Sequence, residues 1–413
     1  MILAGSPARH LTYCTNIHPG ESWPDVLDNL RAHVTAVKAA VSPERPFGVG
    51  LRLSAAAARA LAAPGEVEQL RAFLRDSGLY VFTINGFPHG AFSGIEVKER
   101  VYRPDWLEEE RVRYSGQLAS LLASLLADAP AGLDGSVSTV PGCFAARGGL
   151  ADVGRALAAR LLEHARALWQ LREETGRTVA LALEPEPACL LETTADAAAF
   201  FDRYLFSTDA VRAFAWETGL PTKLAEQALR RHLGVCLDAC HAAVEFETPA
   251  QALAALDAVG VRVLKVQVSA GLRVTAPDSA ALAELEPFAE DVYLHQVVVR
   301  AGKHLRRFVD LPPALADAAN GGGAAALGDE WRVHFHVPLF LDRLGRFENT
   351  SDFVRGLLAL LPGRDDCRHL EVETYTWDVL PAAYRDTPVV DAIARELRWT
   401  LDALPPSLRT PSS

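Results

Sequence analysis

Short runs of apolar and β-branched residues alternate along this chain with longer segments in which apolar residues recur every three to four positions. The first pattern predicts buried strands, and the second predicts helices with one apolar face. In the first unit, Ser22 precedes a helical pattern that includes Val26, Leu30 and Val34. Strands are predicted at 11–15, 48–53, 80–84, 136–140, 178–183, 233–237, 261–268 and 369–374, and helices at 107–127, 150–175, 249–259, 351–361 and 389–401.

Alternating strands and helices build a parallel sheet, and eight such units predict an α/β protein with the (β/α)8 TIM-barrel fold. The chain has 413 residues, whereas about 250 suffice for a typical barrel. At about 150 residues per domain, length alone would suggest two or three domains. The pattern instead favours a single barrel domain over residues 1–413, with the excess in long loops and one insertion.

Residues 272–340 break the alternation and form the predicted insertion between the seventh and eighth strands. They contain a Gly-rich stretch, Gly321-Gly322-Gly323, and two β-like runs at 292–300 and 331–340. Because parallel pairing would need a helical crossover, we expect the two runs to pair as a long hairpin. This hairpin region would cover the C-terminal face of the barrel. A small separate domain is the alternative.

The charge balance narrows the range of partners. The chain carries 41 Lys and Arg against 52 Asp and Glu, a net charge of -11, which is the wrong sign for neutralising nucleic-acid phosphates. The most apolar stretch, 118–126, is far shorter than the ~20 residues of a membrane span, and the first residues lack a secretory pattern. Six sparse cysteines suit a reducing compartment. We therefore expect a cytoplasmic protein with no membrane span and no nucleic-acid partner.

Acidic residues close three of the predicted strands, namely Glu184, Asp238 and Glu373. The carboxyl ends of the strands carry the active site in a TIM barrel. A carboxylate at the end of a buried strand is costly unless it is paired, hydrogen-bonded or bound to a metal. Three of them converging on the barrel axis predict an oxygen-rich site for a divalent ion such as Mn, Mg or Zn. The alternative is three separate salt bridges or helix caps.

The insertion carries a second candidate motif, His334-Phe335-His336. Residues two apart on a strand point to the same face, about 6.5 to 7 Å apart, so both imidazoles could bind one metal. If the insertion folds over the barrel mouth, one of them would enter the metal shell or contact substrate. The alternative is a strand with two histidines on its polar face.

Other chemistries have weaker support in the sequence. Cys236, Asp238 and Cys240 leave a zinc–thiolate site open, although free cysteine often packs as a small hydrophobe. The motifs of P-loop enzymes, α/β-hydrolases and dinucleotide-binding proteins are absent from the sequence.

The residues at the strand ends resemble the xylose-isomerase-like superfamily of TIM barrels, which includes sugar isomerases, sugar epimerases and endonuclease-IV-type enzymes. Glu184 is similar to its first metal-binding glutamate, and the segment 237–241 to its Asp-x-x-His, in which Asp is a ligand and His contacts substrate. Arg273 falls where some members bind substrate, and Glu373 where the last metal glutamate lies. Gln267 stands where the superfamily usually has a histidine ligand.

The glutamine changes the expectation for the metal. A neutral amide oxygen is a harder and weaker ligand than imidazole. A site with Gln267 would favour manganese or magnesium, recruit His334 or His336, or bind no metal.

Three longer strings, 11–21, 85–90 and 334–340, resemble the EboE family of metabolite traffic proteins, and the likeness covers nearly the whole chain. Members of this family belong to clusters implied in handling or exporting small secondary metabolites, alongside a prenyltransferase and a sugar-phosphate-cyclase-like protein. The resemblance therefore implies a small sugar-like or polyol metabolite and pathway partners from the same cluster.

The favoured hypothesis is a metal-dependent isomerase or epimerase of a sugar-like or cyclitol-like polyol. In it the ion binds two neighbouring oxygens and stabilises an enediolate, while Glu184 and Glu373 exchange a carbon-bound proton. The residues expected to orient hydroxyls or a phosphate are His18, Asn85, His89, His241 and Arg273. A barrel that binds and hands on a metabolite without catalysis is the second hypothesis, supported by Gln267. Phosphodiester cleavage of the endonuclease-IV type is the third, and it fits poorly with a charge of -11.

Overall fold

The computed structural model describes residues 1–5, 7–149, 152–320 and 327–409. Its strands are β1 (His10–Tyr13), β2 (Phe47–Arg52), β3 (Leu79–Asn85), β4 (Gly135–Thr139), β5 (Val179–Leu183), β6 (Leu233–Asp238), β7 (Val263–Val268), β8 (Leu272–Thr275), β9 (Val297–Ala301), β10 (His304–Phe308), β11 (Glu330–Val333), β12 (Arg343–Leu344), β13 (Phe347–Asn349) and β14 (His369–Val372). Its α-helices are α1 (Trp23–Asn29), α2 (Thr35–Val41), α3 (Ala55–Leu61), α4 (Glu66–Asp76), α5 (Glu109–Leu125), α6 (Val153–Thr175), α7 (Thr194–Phe200), α8 (Thr208–Thr218), α9 (Thr222–His232), α10 (Ala239–Val244), α11 (Pro249–Ala258), α12 (Ser279–Leu285), α13 (Leu311–Asn320), α14 (Ser351–Ala359) and α15 (Val389–Ala403).

Eight parallel strands form the barrel in the order β1-β14-β7-β6-β5-β4-β3-β2. A parallel bridge between Cys14 and Gly50 joins the two outer members, so the ring is nearly closed. Every residue of these strands is buried, as expected when helices cover a parallel sheet from outside. A Cβ on Gly50 would lie 1.8 Å from Oε1 of Glu371, so only glycine allows this close approach inside the barrel. The predicted TIM barrel is confirmed.

The eight predicted strands agree with the barrel strands to within one or two residues at each end. The predicted start of the first helix also holds, because the Ser22 side chain accepts from the N–H of Asp25 while Asp25 accepts from the Ser22 N–H. Helix α6 ends at Gly176, which adopts a φ of 68°. Positions 150–151, where that helix was expected to begin, lie outside the described residues.

Between β7 and β14 the chain builds a second, antiparallel sheet in the order β10-β9-β11-β8-β13-β12. The two runs expected to form a hairpin lie side by side, with β9 antiparallel to β11. However, β9 makes its tight hairpin with β10, through a turn in which Gly302 has a φ of 59°. The pair is therefore part of a larger, six-stranded sheet. The stretch Gly321-Gly322-Gly323 lies outside the described residues.

Two further findings concern the described part of the chain as a whole. None of its helices combines the length and the hydropathy needed to cross a membrane. The six cysteines are free and buried.

Candidate metal centre at the barrel mouth

Three carboxylates come together at the carboxyl end of the barrel. Glu184 directly follows β5, Asp238 ends β6 and Glu373 directly follows β14. One oxygen of each lies within 4.8 Å of the others, and all three side chains are buried. Because parallel strands end at the same rim, acids from three distant parts of the chain meet there.

Asp238 is both the last residue of β6 and the cap of α10. Its Oδ1 accepts hydrogen bonds from the backbone N–H of His241 at 2.9 Å and from the hydroxyl of Ser269 at 2.8 Å. Its Oδ2 has no hydrogen-bond partner among the described residues and lies 3.9 Å from Nε2 of both His241 and His336. The bonded oxygen orients the carboxylate and leaves the other available to a ligand.

The two glutamates are held differently. Oε1 of Glu373 accepts from the side-chain amides of Asn16 at 2.7 Å and Asn85 at 2.8 Å. Oε2 of Glu184 has no hydrogen-bond partner in the described part of the chain. Glu373 is therefore held in place, whereas Glu184 keeps an oxygen free.

The electrostatics of the cluster call for a cation. Burial raises the pKa of Glu184 and of Glu373 well above the usual range, and repulsion between the neighbouring carboxylates raises both further. Lys265, deeper in the barrel, is already paired, since its Nζ lies 2.6 Å from Oε2 of Glu371. Buried carboxylates that lack a counter-charge are costly, and a divalent ion would relieve that cost.

Gln267 lies on β7 opposite Asp238 of β6 and Glu371 of β14. Its side chain is fully buried, and within the described ranges neither amide atom has a hydrogen-bond partner. An unpartnered buried amide is destabilising. The free oxygens of Glu184 and Asp238 fit a divalent ion that prefers oxygen ligands, and the strand register puts Gln267 next to Asp238.

Three histidines, His241, His334 and His336, form an imidazole cluster beside the carboxylates. Each Nδ1 lies 2.7 to 2.9 Å from a carbonyl oxygen. The acceptors are the backbone carbonyls of Pro185 and Glu373 and the side-chain carbonyl of Gln296. Because a carbonyl can only accept, Nδ1 carries the proton in each ring and Nε2 keeps a lone pair.

The lone pairs of the imidazole cluster converge. Nε2 of His334 lies 3.1 Å from Nε2 of His241 and 3.2 Å from Nε2 of His336. Burial lowers the pKa of His334 well below its usual range and that of His336 to about 4. Two nitrogens bound tetrahedrally to zinc at about 2.0–2.1 Å stand about 3.3 Å apart. The cluster therefore fits a metal ion that accepts nitrogen ligands.

The two cysteines considered with Asp238 lie in different surroundings. Sγ of Cys240 is within 4.8 Å of a nitrogen of His334 and of His336, whereas Cys236 packs among small and aliphatic side chains of the barrel. Burial raises the pKa of both thiols well above the usual range. Cys240 therefore lies beside the imidazole cluster, whereas Cys236 is part of the packing of the barrel.

A pocket opens to solvent beside these groups. Its polar floor consists of Asn16, Asn85, Glu184, Glu186, His241, His334 and Glu373. Its walls consist of Phe87, Pro88, Phe92, Val97, Lys98, Val101, Tyr102, Tyr293, Leu294 and Tyr375. The rings of Phe92, Tyr293 and Tyr375 pack against one another with centroids 5.0 to 5.3 Å apart. A small organic ligand would meet polar groups below and mostly apolar groups around it.

The structure brings only some of the expected substrate-contacting residues to this pocket. Asn85 and His241 line it, and His18, His89 and Arg273 do not. His18 instead stacks on His33 with ring centroids 4.5 Å apart, and its Nε2 lies 2.9 Å from the hydroxyl of Tyr13. It is part of the packing below the first loop.

His89 and Arg273 point to other surroundings. Nε2 of His89 lies 3.5 Å from Oε1 of Glu110 on α5. Arg273 lies on β8 of the second sheet and pairs with Glu330 and Asp352. A polar residue that follows a strand reaches the pocket only if the loop turns inward, which its sequence position does not reveal.

Several pocket residues were not singled out from the sequence. Glu186 accepts hydrogen bonds from the hydroxyl of Tyr102 at 2.7 Å and from the amide of Gln296 at 3.2 Å. Its place two residues after Glu184 was an available signal. Tyr102 and Lys98 come from the irregular segment between β3 and α5, which has no periodic pattern to mark them.

A scan against models of protein families and a search of curated proteins found no match. Among solved structures, the chain is similar to the probable 3-DHS dehydratase AsbF from Bacillus anthracis, with 14% identity, 94% of this chain and 97% of that chain covered, and a TM-score of 0.45. It is also similar to the IOLI protein with a bound zinc atom, at 12% identity, 96% and 98% coverage and a TM-score of 0.45. A third similar structure is a xylose isomerase domain protein from Alicyclobacillus acidocaldarius. Its identity is 15%, the match covers 95% of this chain and 97% of that chain, and the TM-score is 0.35. These likenesses are distant, so the fold assignment rests on the strand order itself.

Proposed function

We propose that this chain is a metal-dependent isomerase or epimerase that acts on a sugar-like or cyclitol-like polyol. The observation that carries the proposal is the convergence of Glu184, Asp238 and Glu373 at the carboxyl end of the barrel, with unpartnered oxygens on the first two. The site is buried and rich in oxygen donors, and a pocket with polar groups at its floor and mostly apolar walls opens beside it. When bound, a divalent ion would supply Lewis-acid polarisation of a substrate oxygen.

The side chains of this chain would orient the substrate and move the proton. Glu184 is suited to take a proton from carbon through whichever carboxylate oxygen does not bind the ion, and Glu373 is held by Asn16 and Asn85 in a position to return one. His241, with its Nε2 lone pair, would accept a hydrogen bond from a substrate hydroxyl.

The biological setting is proposed from the resemblance to the EboE family. It would place the reaction in the biosynthesis or traffic of a small metabolite, with cytoplasmic partners encoded in the same cluster. Each of the three resembling strings supplies a pocket residue, namely Asn16, Asn85 and His334. That supports a shared site, while the reaction itself is argued from the carboxylates.

The test combines metal analysis with proton exchange. Purified protein should contain a stoichiometric divalent metal, and in D2O it should exchange a carbon-bound hydrogen of a ketose or keto-cyclitol in a panel followed by NMR. Glu184→Gln and Glu373→Gln should each lower exchange at least about 10³-fold and reduce bound metal. Glu247→Gln is the control, because Glu247 bonds to Thr194 away from the pocket. Unchanged metal content and exchange in both site variants would refute the proposal.

A non-catalytic metabolite carrier is the second candidate, and Gln267 is the observation that favours it. A neutral amide in place of imidazole weakens a metal site. Purified protein without stoichiometric metal and without exchange, but with measurable polyol binding, would support the carrier.

A further inference from the structure

The residues that line the pocket include three acids and one lysine, and the lysine is already paired. The floor holds three acids, Glu184, Glu186 and Glu373. Lys98 is the cation among the described lining residues, and it is already engaged. Its Nζ lies 2.8 Å from Oδ2 of Asp310 and 2.9 Å from the backbone carbonyl of Glu290. A phosphate group on a substrate would find no unpaired cationic side chain in the described lining. The cation left for it would be the divalent ion of the proposed function, which the hydroxyl groups of the substrate would already occupy.

Two arginines contact residues of the pocket, and both already pair with or donate to other groups of the protein. Arg52 lies under the ring of Phe92 at 5.8 Å and pairs with Glu21 at 2.7 Å. Arg111 is fully buried and donates to backbone carbonyls. Its acceptors are Gly86, Phe87 and Pro104. Neither guanidinium is free to bind an anion.

The walls of the pocket are apolar and held in place. Phe92, Val97 and Tyr293 form a buried apolar cluster that joins the loop after β3 to the segment before β9. The carbonyl of Val292 accepts from the N–H groups of Val97 at 2.8 Å and Lys98 at 3.0 Å. Apolar surface held in place around a pocket favours an apolar group of the ligand.

We infer that the substrate is an uncharged hydroxylated compound that carries an apolar substituent, aryl or alkyl, rather than a phosphorylated sugar. This inference rests on the proposed function for the hydroxylated end and describes the other end of the same substrate. The hydroxyl groups would face the acidic floor, and the substituent would pack against Phe92, Tyr293 and Leu294. Of the two groups that the sequence analysis left open for these residues to orient, hydroxyls or a phosphate, the inference therefore favours hydroxyls.

Binding of three matched probes tests the inference. Titration calorimetry on the metal-loaded wild-type protein would compare glucose, phenyl β-D-glucopyranoside and glucose 6-phosphate. Phenyl glucoside should bind at least about tenfold more tightly than glucose, because the ring buries apolar surface. Glucose 6-phosphate should bind more weakly than glucose. Binding of glucose 6-phosphate as tight as that of phenyl glucoside would overturn the inference.

The variant Asp310→Asn tests whether the ion pair between Lys98 and Asp310 keeps the lysine from binding a phosphate group. Oδ1 of Asp310 accepts from the N–H groups of His295 and Leu311, both at 2.9 Å. Asparagine keeps that acceptor and removes only the charge that pairs Lys98. The released lysine should raise the affinity for glucose 6-phosphate at least about fivefold and leave phenyl glucoside unchanged. If the affinity for glucose 6-phosphate does not rise, the Lys98–Asp310 pair does not exclude phosphate and that step of the inference is wrong.

These measurements separate the inference from the proposed function, because binding needs no turnover. If proton exchange is absent but the probes rank as expected, the isomerase proposal fails and the substrate class stands for a carrier. If exchange depends on Glu184 and Glu373 but glucose 6-phosphate binds best, the reaction stands and the substrate class is wrong.

Discussion

The barrel and the second sheet supply the candidate metal centre with donors of different chemistry. The ends of the barrel strands supply charged oxygen donors, Glu184, Asp238 and Glu373. The segment that follows β11 of the second sheet supplies neutral nitrogen donors, His334 and His336. Charge is therefore concentrated in the barrel.

The two sets are held in place by different means. The acids stand where parallel strands end, so the register of the barrel positions them. His336 depends on a contact between the two regions, because its Nδ1 donates to the backbone carbonyl of Glu373 at 2.9 Å. The barrel therefore provides affinity for a cation, whereas the second sheet provides neutral groups that shape the site around it.

The largest effect is expected for Asp238→Asn, because Asp238 belongs to the barrel set and its Oδ2 lies 3.9 Å from Nε2 of two histidines. Asparagine keeps the acceptor for Ser269 and removes the charge. Metal affinity should fall more than about 100-fold, measured by calorimetry with Mn²⁺ and Zn²⁺. Asp257→Asn, at a surface pair with Arg364, should leave it unchanged. Equal affinity in both variants would contradict the role of the barrel set.

The double variant His334→Ala/His336→Ala should have a smaller effect. Removing neutral ligands takes away no charge, so metal affinity should fall about tenfold, with a larger loss for Zn²⁺ than for Mn²⁺. Circular dichroism would verify folding. If the double variant loses more metal affinity than Asp238→Asn, the second sheet contributes more to metal binding than the barrel does, and the comparison is wrong.

A smaller effect, on the pH dependence of stability, is expected at the ion pair between Glu245, which follows α10, and Arg307 on β10 of the second sheet. Its two atoms, Oε2 of Glu245 and Nη2 of Arg307, lie 2.7 Å apart. Burial raises the pKa of Glu245 from 4.5 to about 7, although the hydrogen bond from Arg307 lowers it. A carboxyl with a raised pKa binds its proton more tightly in the folded protein. Its contribution to stability is therefore full below pH 4.5 and is lost as the pH rises through about 7.

Glu245→Gln should remove this contribution, so the fall in Tm between pH 4.5 and 7 should be smaller by about 2 °C. Scanning calorimetry across that range would measure it. Glu226→Gln, at a surface pair with Arg230, is the control. Parallel curves for wild type and Glu245→Gln would show that Glu245 does not link stability to pH.

The smallest effect is expected for Arg273→Ala. Arg273 pairs with Glu330 and Asp352 away from the pocket. We expect unchanged metal content and unchanged affinity for phenyl glucoside, and a loss of less than about 1 kcal/mol of stability. A tenfold loss of probe affinity would return Arg273 to the substrate site.

Much of the barrel could be predicted from the sequence, because a buried parallel strand is a short apolar run and the helix that covers it has its own period. The acids could be predicted with it. Glu184, Asp238 and Glu373 each close such a run, and the rule that strand ends share a rim brings them together. The same rule is insufficient for His18 and His89, because their loops reach the pocket through other residues, Asn16, Phe87 and Pro88.

Local sequence was enough to establish the barrel, its strand limits and the acids of the rim. The reason is that short apolar runs indicate buried strands, and the helices between them indicate that the strands are parallel. Which groups face one another was settled by tertiary packing. His241 and His334 are 93 positions apart, and Lys98 and Asp310 are 212 apart. No local pattern encodes such pairs, since their distance depends on how the second sheet packs on the barrel. The unpartnered oxygens, the converging imidazoles and the paired lysine follow from that packing.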